Sequence, residues 1–192
     1  IPTLVNFDLL IPSGQQVVVL GESGIGKSTL ASLLARFYSL KSGSGTILLG
    51  GVDIVTIDPV YLRQQCIAIV PQDAIVFHAS VIDNITFSSP VTEIDMDLLM
   101  KFSKLTGVHN FVSERFPSGY NTILGDRGSV LSGGQKQRLN LCRTLYHYHR
   151  TNCKVYIFDE STSALDIDSE IALIRAIQEY CKGVGATSLF IT

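Results

Sequence analysis

A glycine-rich loop between an apolar run and an amphipathic segment constrains the fold of this chain more than any other feature. The run QQVVVL (15–20) is typical of a short buried strand, and GESGIGKST follows it directly at 21–29. The next residues predict a helix, because apolar side chains recur there at helical spacing. They share one face of that helix: Leu30, Leu33, Leu34 and Phe37. A strand that passes through such a loop into a helix predicts an α/β unit.

Further strands and helices alternate along the rest of the chain. Strands are predicted at 3–11, 15–20, 66–70, 154–158 and 188–192, with a hairpin edge at 42–54. Helices are predicted within 95–116, from about Gly133, and in a last segment with Ile167, Ile171, Ile174 and Ile177 on one face. This order predicts a mostly parallel sheet covered on both faces, with an antiparallel β edge.

The middle of the chain differs from its two ends, because its apolar residues follow a helical period without a strong strand. We therefore predict a small helical subdomain at about 73–149, inserted into an α/β core formed by about 1–72 and 150–192. A longer surface loop is expected near 147–152. The chain begins and ends inside apolar patterns, and we expect it to be part of a longer polypeptide.

The glycine loop predicts a phosphate-binding site. Gly21, Gly26, Lys27 and Ser28 fit the pattern G-x-x-x-x-G-K-[ST], in which successive backbone N–H groups face phosphate oxygens at the start of a helix. Lys27 should reach the β- and γ-phosphates, and Ser28 should bind Mg²⁺. The predicted nucleotide-binding residues of the loop are Gly21, Glu22, Ser23, Gly24, Ile25, Gly26, Lys27, Ser28 and Thr29.

An acidic pair ends the apolar run VYIF. Asp159 and Glu160 would lie outside the carboxyl end of a strand, where α/β sheets bind ligands. Asp159 is then a candidate Mg²⁺ ligand, and Glu160 a candidate general base for the attacking water. The alternative is a helix N-cap followed by a solvated neighbour. The phosphate loop favours the catalytic interpretation.

A second glycine element, LSGGQ at 131–135, opens a predicted helix. Ser132 is a good N-cap, and the N–H groups behind it form an anion site. A cap alone needs only the serine. It does not explain Gly133, Gly134 and Gln135.

Composition narrows the possible partners. The formal net charge is −2 and no run of Lys or Arg occurs, so a nucleic-acid-binding face is not expected. The four cysteines lack CxxC spacing, which fits reduced thiols better than a disulfide framework or a zinc site. No apolar stretch approaches the ~20 residues that cross a bilayer. A role at a membrane would therefore involve another domain or chain.

The motifs together resemble those of the ATP-binding cassette (ABC) ATPase domains. GESGIGKST, Gln72 after a strand, LSGGQKQR, VYIFDE and SALD (163–166) occur in the order and spacing of that family, over nearly the whole chain. The resemblance implies a P-loop NTPase fold of the RecA-like type that uses ATP and Mg²⁺. It also implies a second nucleotide-binding domain packed head to tail. Each ATP would then lie between the phosphate loop of one domain and the signature element of the other, here Ser132, Gly133, Gly134 and Gln135.

Carried over by position, the resemblance assigns further roles. Gln72 matches the glutamine that touches the Mg²⁺ and water shell and reports to the membrane domain, so it joins Glu160 and Lys27 as a catalytic residue and Ser28 and Asp159 as a metal residue. Asp166 matches an aspartate at the dimer interface. TILGDRG (122–128) and the stretch 76–87 resemble the exporter branch, which implies a transmembrane domain and a place at the cytoplasmic face of a membrane.

Two alternatives stay open at this point: a soluble ABC ATPase that acts in translation, and a regulatory ABC domain with little hydrolysis. The family's adenine-stacking aromatic residue and switch histidine are expected outside this chain. An isolated chain of this extent is therefore expected to be weakly active or inactive.

Overall fold

A parallel sheet forms the centre of the fold. The structure is a computed structural model, and it describes residues 4–22, 24–41, 43–87 and 94–192. Four of its strands are Gln16–Val19 (β1), Ile67–Val70 (β4), Val155–Asp159 (β5) and Thr187–Ile191 (β6). They lie side by side in the order β1-β6-β5-β4, and every neighbouring pair is parallel. The predicted α/β fold with a mostly parallel sheet is confirmed.

The two central strands come from the most apolar predicted runs. Four of the five residues of β5 and four of the five of β6 are buried, because each strand has a partner on both sides. β1 was predicted as a buried strand, but Val18 is 51% exposed. Its one partner in the described part of the sheet is β6, so one long side of β1 has no neighbouring strand there.

The strand predicted at 3–11 is wrong for the residues that the structure describes. Residues 4–11 form no strand, and Val5, Phe7, Leu9 and Leu10 are exposed. An alternating apolar pattern becomes a strand only when a neighbouring strand supplies hydrogen bonds, and no described strand does so here.

The predicted hairpin edge is confirmed as a separate two-stranded sheet. Leu48–Leu49 (β2) pairs antiparallel with Val52–Asp53 (β3). Gly50 and Gly51 connect them with φ angles of 58° and 83°. Two successive left-handed residues define the hairpin turn that glycine accommodates most readily.

Seven α-helices follow from the rest of the described chain: Lys27–Leu34 (α1), Pro59–Tyr61 (α2), Val81–Thr86 (α3), Met96–Leu105 (α4), Val108–Arg115 (α5), Gly133–Arg150 (α6) and Ile167–Gly183 (α7). A π-helical turn, Leu62–Cys66, joins α2 to β4. Phe37, predicted on the face of α1, lies beyond the end of that helix and is exposed.

The helices α3 to α6 form the predicted helical subdomain. The other three pack on α6, and a continuous apolar core extends from them to one face of the sheet. A second core cluster, which includes Ala31, Leu62 and Ile157, lies between the sheet, α1 and the hairpin. The exact limits of about 73–149 stay a prediction.

The surface loop predicted near 147–152 is mostly helix. α6 continues through Arg150, and Thr151 caps it. The Tyr148 hydroxyl donates a hydrogen bond to the Arg63 carbonyl, and His149 Nδ1 lies 3.1 Å from the Tyr180 hydroxyl. These contacts attach the last turn of α6 to the core.

The isoleucine face predicted for α7 is only partly buried. Ile177 is buried, but Ile167 and Ile171 are 73% and 44% exposed. The buried residues of α7 begin only at Leu173 and continue with Ile177, Tyr180 and Cys181. The helix packs on β6 and α4, and its first residues remain exposed.

Candidate nucleotide-binding site

Three loops meet at the carboxyl edge of the parallel sheet. The glycine loop follows β1, Gln72 follows β4, and the acidic pair ends β5. Because parallel strands finish at the same edge, residues far apart in sequence become neighbours there.

The glycine loop is closed around the ammonium group of Lys27. Lys27 is 8% exposed, and its Nζ donates to the carbonyl oxygens of Gly21 at 2.6 Å and Glu22 at 3.0 Å. Gly24 and Gly26 have φ angles of 84° and 112°, a region that L-residues rarely adopt. Gly26 is also the N-cap of α1. Ser23, predicted to bind nucleotide, lies outside the described residues.

The other loop residues contribute in different ways. A Cβ atom on Gly21 would lie 3.1 Å from Ile25 Cγ2, so glycine allows the loop to close tightly. The Ile25 side chain is 60% exposed. Ser28 and Thr29 belong to the first turn of α1. The loop therefore presents backbone groups and one cation, as an anion site requires.

Ser28 and Asp159, the two residues predicted to hold Mg²⁺ from the motifs, lie together. Ser28 Oγ donates to Asp159 Oδ1 at 3.2 Å. Asp159 is 8% exposed, and burial raises the pKa of its carboxyl group above the usual range. The neighbouring Glu160 raises that pKa further, while the bond from Ser28 and the charge of Lys27 oppose the shift. One hydroxyl and one carboxylate oxygen are hard ligands, so these residues fit Mg²⁺.

Glu160 meets Gln72, the residue assigned by family resemblance. Gln72 Nε2 donates to Glu160 Oε2 at 2.7 Å, across 88 residues of sequence. The Glu160 backbone has a φ of 44°, and its N–H donates to the Ile191 carbonyl of β6 at 2.9 Å. Glu160 is therefore held at two points, its side-chain carboxylate and its backbone N–H.

The second glycine element forms a reciprocal cap. Gln135 N donates to Ser132 Oγ at 3.3 Å, and Ser132 N donates to Gln135 Oε1 at 2.9 Å. This capping box opens α6, so the predicted N-cap is confirmed. Within the described residues, no direct hydrogen bond connects this element to the cluster of Lys27, Ser28 and the acidic pair.

The glycines of this element have a role that the sequence did not reveal. A Cβ atom on Gly134 would lie 2.7 Å from Leu165 Cδ2 and 3.1 Å from the Ala164 carbonyl oxygen. A Cβ atom on Gly133 would lie 3.4 Å from Ala164 Cβ. The start of α6 therefore packs directly on the segment 163–166. Asp166 ends that segment and caps α7 through a bond from Ser169 N, which lowers the pKa of Asp166.

An arginine missed by the sequence motifs connects α6 to the stretch 76–87. The Arg143 guanidinium donates to the carbonyls of Asn84 and Ile75 and to Asn84 Oδ1, and it lies over the Phe77 ring at 4.9 Å. Burial lowers the pKa of Arg143 to about 10. In the same stretch Val81 is buried, whereas Phe87 is 60% exposed and stacks on Phe77.

The fold and the site together define a P-loop nucleoside triphosphatase. A strand leads through a glycine loop into a helix, and a second strand of the same parallel sheet carries an aspartate to the loop serine.

Comparison with known proteins identifies the family. The sequence model described as ABC transporter matches residues 4–163, which is most of the chain. The chain belongs to the ABC transporter family, and it has the ATP-binding ABC ATPase fold.

Several relatives and one solved structure are similar to this chain. It is 42% identical over 178 residues to the alpha-hemolysin translocation ATP-binding protein HlyB of Escherichia coli, covering 93% of this chain and 24% of HlyB. It is 42% identical over 183 residues to the leukotoxin translocation ATP-binding protein LktB of Mannheimia glucosida, covering 95% and 24%. A bacterial Atm1-family ABC exporter with ATP bound superposes with a TM-score of 0.81 and 35% identity, covering 93% of this chain and 30% of that one.

The chain thus spans about a quarter of the length of these curated relatives. The helices that the structure describes include none with the length and apolar character of a membrane span.

Proposed function

We propose that this chain is the nucleotide-binding domain of an ABC exporter and that it hydrolyses MgATP to drive export across a membrane. The observation that carries this proposal is the bond between Gln72 and Glu160, next to the pair formed by Ser28 and Asp159. A base, a water-positioning amide and two Mg²⁺-compatible oxygens converge where the phosphate loop ends. The relatives named above support export but not one substrate, because they include toxin translocation proteins and an Atm1-family exporter.

Phosphate binding, Mg²⁺ binding and proton transfer are assigned to different residues of the site. The loop N–H groups and Lys27 bind the β- and γ-phosphates. To do so, the Lys27 ammonium gives up its hydrogen bonds to the carbonyls of Gly21 and Glu22 and donates to phosphate oxygens instead. Ser28, Asp159 and Gln72 would hold Mg²⁺, which supplies charge neutralisation on the phosphates. Glu160 accepts a proton from the attacking water, and Gln72 orients both the carboxylate and that water.

The proposed partners follow from the position of the second glycine element. Ser132 and Gly133 are exposed at the start of a helix, and no hydrogen bond among the described residues joins them to the chain's own phosphate loop. Ser132, Gly133, Gly134 and Gln135 would therefore bind the γ-phosphate of an ATP held by a second nucleotide-binding domain. The membrane domain would belong to the same polypeptide, and this domain would lie at its cytoplasmic face.

Replacement of Glu160 tests the hydrolytic role. In the full parent polypeptide, Glu160→Gln should bind MgATP as the wild type does, because the amide oxygen can still accept from Gln72. Hydrolysis should fall by about 10²–10⁴-fold, since the amide accepts no proton from water. MgATP affinity and phosphate release are the two measurements.

Glu179→Gln is the matched control. It makes the same change of charge at an exposed position of α7 and should leave both quantities unchanged. A Glu160→Gln polypeptide that hydrolyses ATP at the wild-type rate would remove Glu160 from the mechanism and favour another base.

A further inference from the structure

The side-chain amide of Gln137 joins two motifs that are 26 residues apart. Gln137 lies in the first turns of α6 and is 7% exposed. Its Nε2 donates to Ser163 Oγ at 3.2 Å, and its Oε1 accepts from Ala164 N at 2.9 Å. Both ends of the amide are therefore bound to the segment that follows the acidic pair.

That segment is tied to Glu160 by its backbone. Ser163 N donates to the Glu160 carbonyl at 3.3 Å, and Leu165 N donates to the Thr162 carbonyl at 3.0 Å. Thr162 Oγ1 also donates to Glu170 Oε1 of α7 at 2.7 Å. Residues 160–166 are thus a compact turn rather than a free loop.

Close packing reinforces the connection. Gly134 leaves no room for a methyl group against Leu165 and the Ala164 carbonyl. A buried amide that loses its hydrogen-bond partners remains without water to replace them, which costs free energy. The Gln137 side chain therefore has one favourable position, the one in which both ends of the amide are bonded. The first turn of α6 cannot move relative to Ser163 without breaking these contacts.

We infer that Gln137 is a positioning residue which couples the second glycine element to the Glu160 carboxylate through Ser163. When a nucleotide phosphate is seated on Ser132 and Gly133, α6 and the segment 163–166 move as one unit and set the Glu160 backbone. The origin of that phosphate in a second domain rests on the proposed function. The mechanical link from Gln137 to Glu160 lies within this chain.

Two substitutions test the link in the full parent polypeptide. Gln137→Leu keeps the approximate volume but removes both hydrogen bonds, whereas Ser163→Ala removes the acceptor of one. Gln137→Leu should lower kcat by about 10–100-fold and change KM for MgATP by less than about threefold, because binding groups stay in place while the base is misplaced. Ser163→Ala should lower kcat less.

The double variant gives the sharper result. If both substitutions lower kcat by breaking the same connection between Gln137 and Ser163, Gln137→Leu/Ser163→Ala should be no slower than Gln137→Leu alone. Multiplication of the two effects would contradict a shared path and overturn the inference.

Tyr148→Phe is the stability control. It removes a hydrogen bond at the far end of the same helix, to the Arg63 carbonyl. It should lower Tm as Gln137→Leu does but leave kcat unchanged. If Gln137→Leu lowers Tm and leaves kcat at the wild-type value, or if Tyr148→Phe loses as much kcat, the role of Gln137 is only structural.

The Glu160→Gln measurement separates this inference from the proposed function. Loss of hydrolysis in Glu160→Gln together with a normal kcat in Gln137→Leu contradicts the inference alone. Normal hydrolysis in Glu160→Gln contradicts the proposed mechanism itself.

Discussion

Asp159 shows at the scale of one residue how a binding site costs stability. Its carboxylate is buried beside Glu160, and both conditions raise its pKa. A raised pKa in the folded state means that the ionised form destabilises the fold at every pH above that value, and that the penalty disappears once the group is protonated. Under the proposed function, this charge would help to hold a divalent cation.

Substitution of Asp159 should therefore reveal the penalty. At pH 7 without Mg²⁺, Asp159→Asn should melt a few degrees above the wild type, since ~1 kcal/mol corresponds to about 2–4 °C in a domain of this size. The difference should vanish as the pH falls below the ordinary aspartate range, where the wild type is also neutral. MgATP should raise the Tm of the wild type more than that of the variant. Thermal melts from pH 3 to pH 7 are the measurement.

Asp166→Asn is a control of opposite sign. The pKa of Asp166 is lowered by the Ser169 bond, so its ionised form stabilises the fold at neutral pH and that contribution is lost as the pH falls. Asp166→Asn should melt below the wild type at pH 7. A neutral-pH melt of Asp159→Asn below the wild type would contradict the assigned burial cost.

At the scale of elements, α6 organises the molecule. Its first turn carries the capping box, its next turn holds Gln137, its middle anchors Asn84 through Arg143, and its last turns bind Arg63 and Tyr180. One helix thus connects the signature element, the segment that follows the acidic pair and the stretch 76–87. Its first turn tolerates little added volume.

A pair of glycine substitutions tests that limit. Gly134→Ala should destabilise the domain by about 1–3 kcal/mol, because overpacking against Leu165 and the Ala164 carbonyl outweighs the better helix propensity of alanine. Gly183 lies at the end of α7, where no described atom beyond its own helix turn lies within 4 Å of the carbon that Gly183→Ala adds. This substitution should stabilise by up to about 1 kcal/mol. Chemical denaturation measures both, and equal effects of the two changes would refute the packing explanation.

At the scale of the whole molecule, the proposed function assigns the two glycine elements to different phosphates. A hydrogen bond joins the phosphate loop to the acidic pair, whereas Ser132 caps α6 and, among the described residues, has no hydrogen bond to either of them. Under the proposed function, a pair of such domains would hold two nucleotides, each between a loop of one domain and a signature element of the other.

Complementation between two inactive variants tests this arrangement. Lys27→Ala removes the phosphate cation, and Ser132→Arg places a bulky side chain where a γ-phosphate must bind, so each spoils both sites of an identical pair. In mixed pairs of parent polypeptides, one site combines an intact loop with an intact signature. ATP-dependent association should then recover in part, measured by size-exclusion chromatography. Folded variants that recover no association on mixing would argue against a site shared between domains.

The sequence predicted the parts of this molecule that local patterns encode. Strand apolarity, the glycine loop, the hairpin glycines and the Ser132 cap all depend on neighbours within a few residues. Gln72 was assigned by family resemblance to the Mg²⁺ and water shell, which stays a prediction, and its direct hydrogen bond to Glu160 was not predicted.

Features that depend on distant residues could not be read in this way. The left-handed Glu160 donates its N–H to a residue of β6, and the Gln137 side chain can bind Ser163 only because that segment returns to α6. The absent strand at 4–11 and the exposed Ile167 have the same origin, since a pattern of apolar residues does not state which surface will cover it.

The bonds from Lys27 to the carbonyls of Gly21 and Glu22 have a consequence for the kinetics of nucleotide capture. The Lys27 ammonium is already desolvated and bound to the loop, so much of the entropy cost of ordering this side chain is met before any triphosphate binds. Under the proposed function, nucleotide capture would be an exchange of acceptors, in which charged phosphate oxygens replace two neutral carbonyls and bind the ammonium more strongly. Ligands that offer fewer phosphate oxygens gain less from that exchange. The loop would therefore release them sooner, and residence time would rank nucleotides by their number of phosphates.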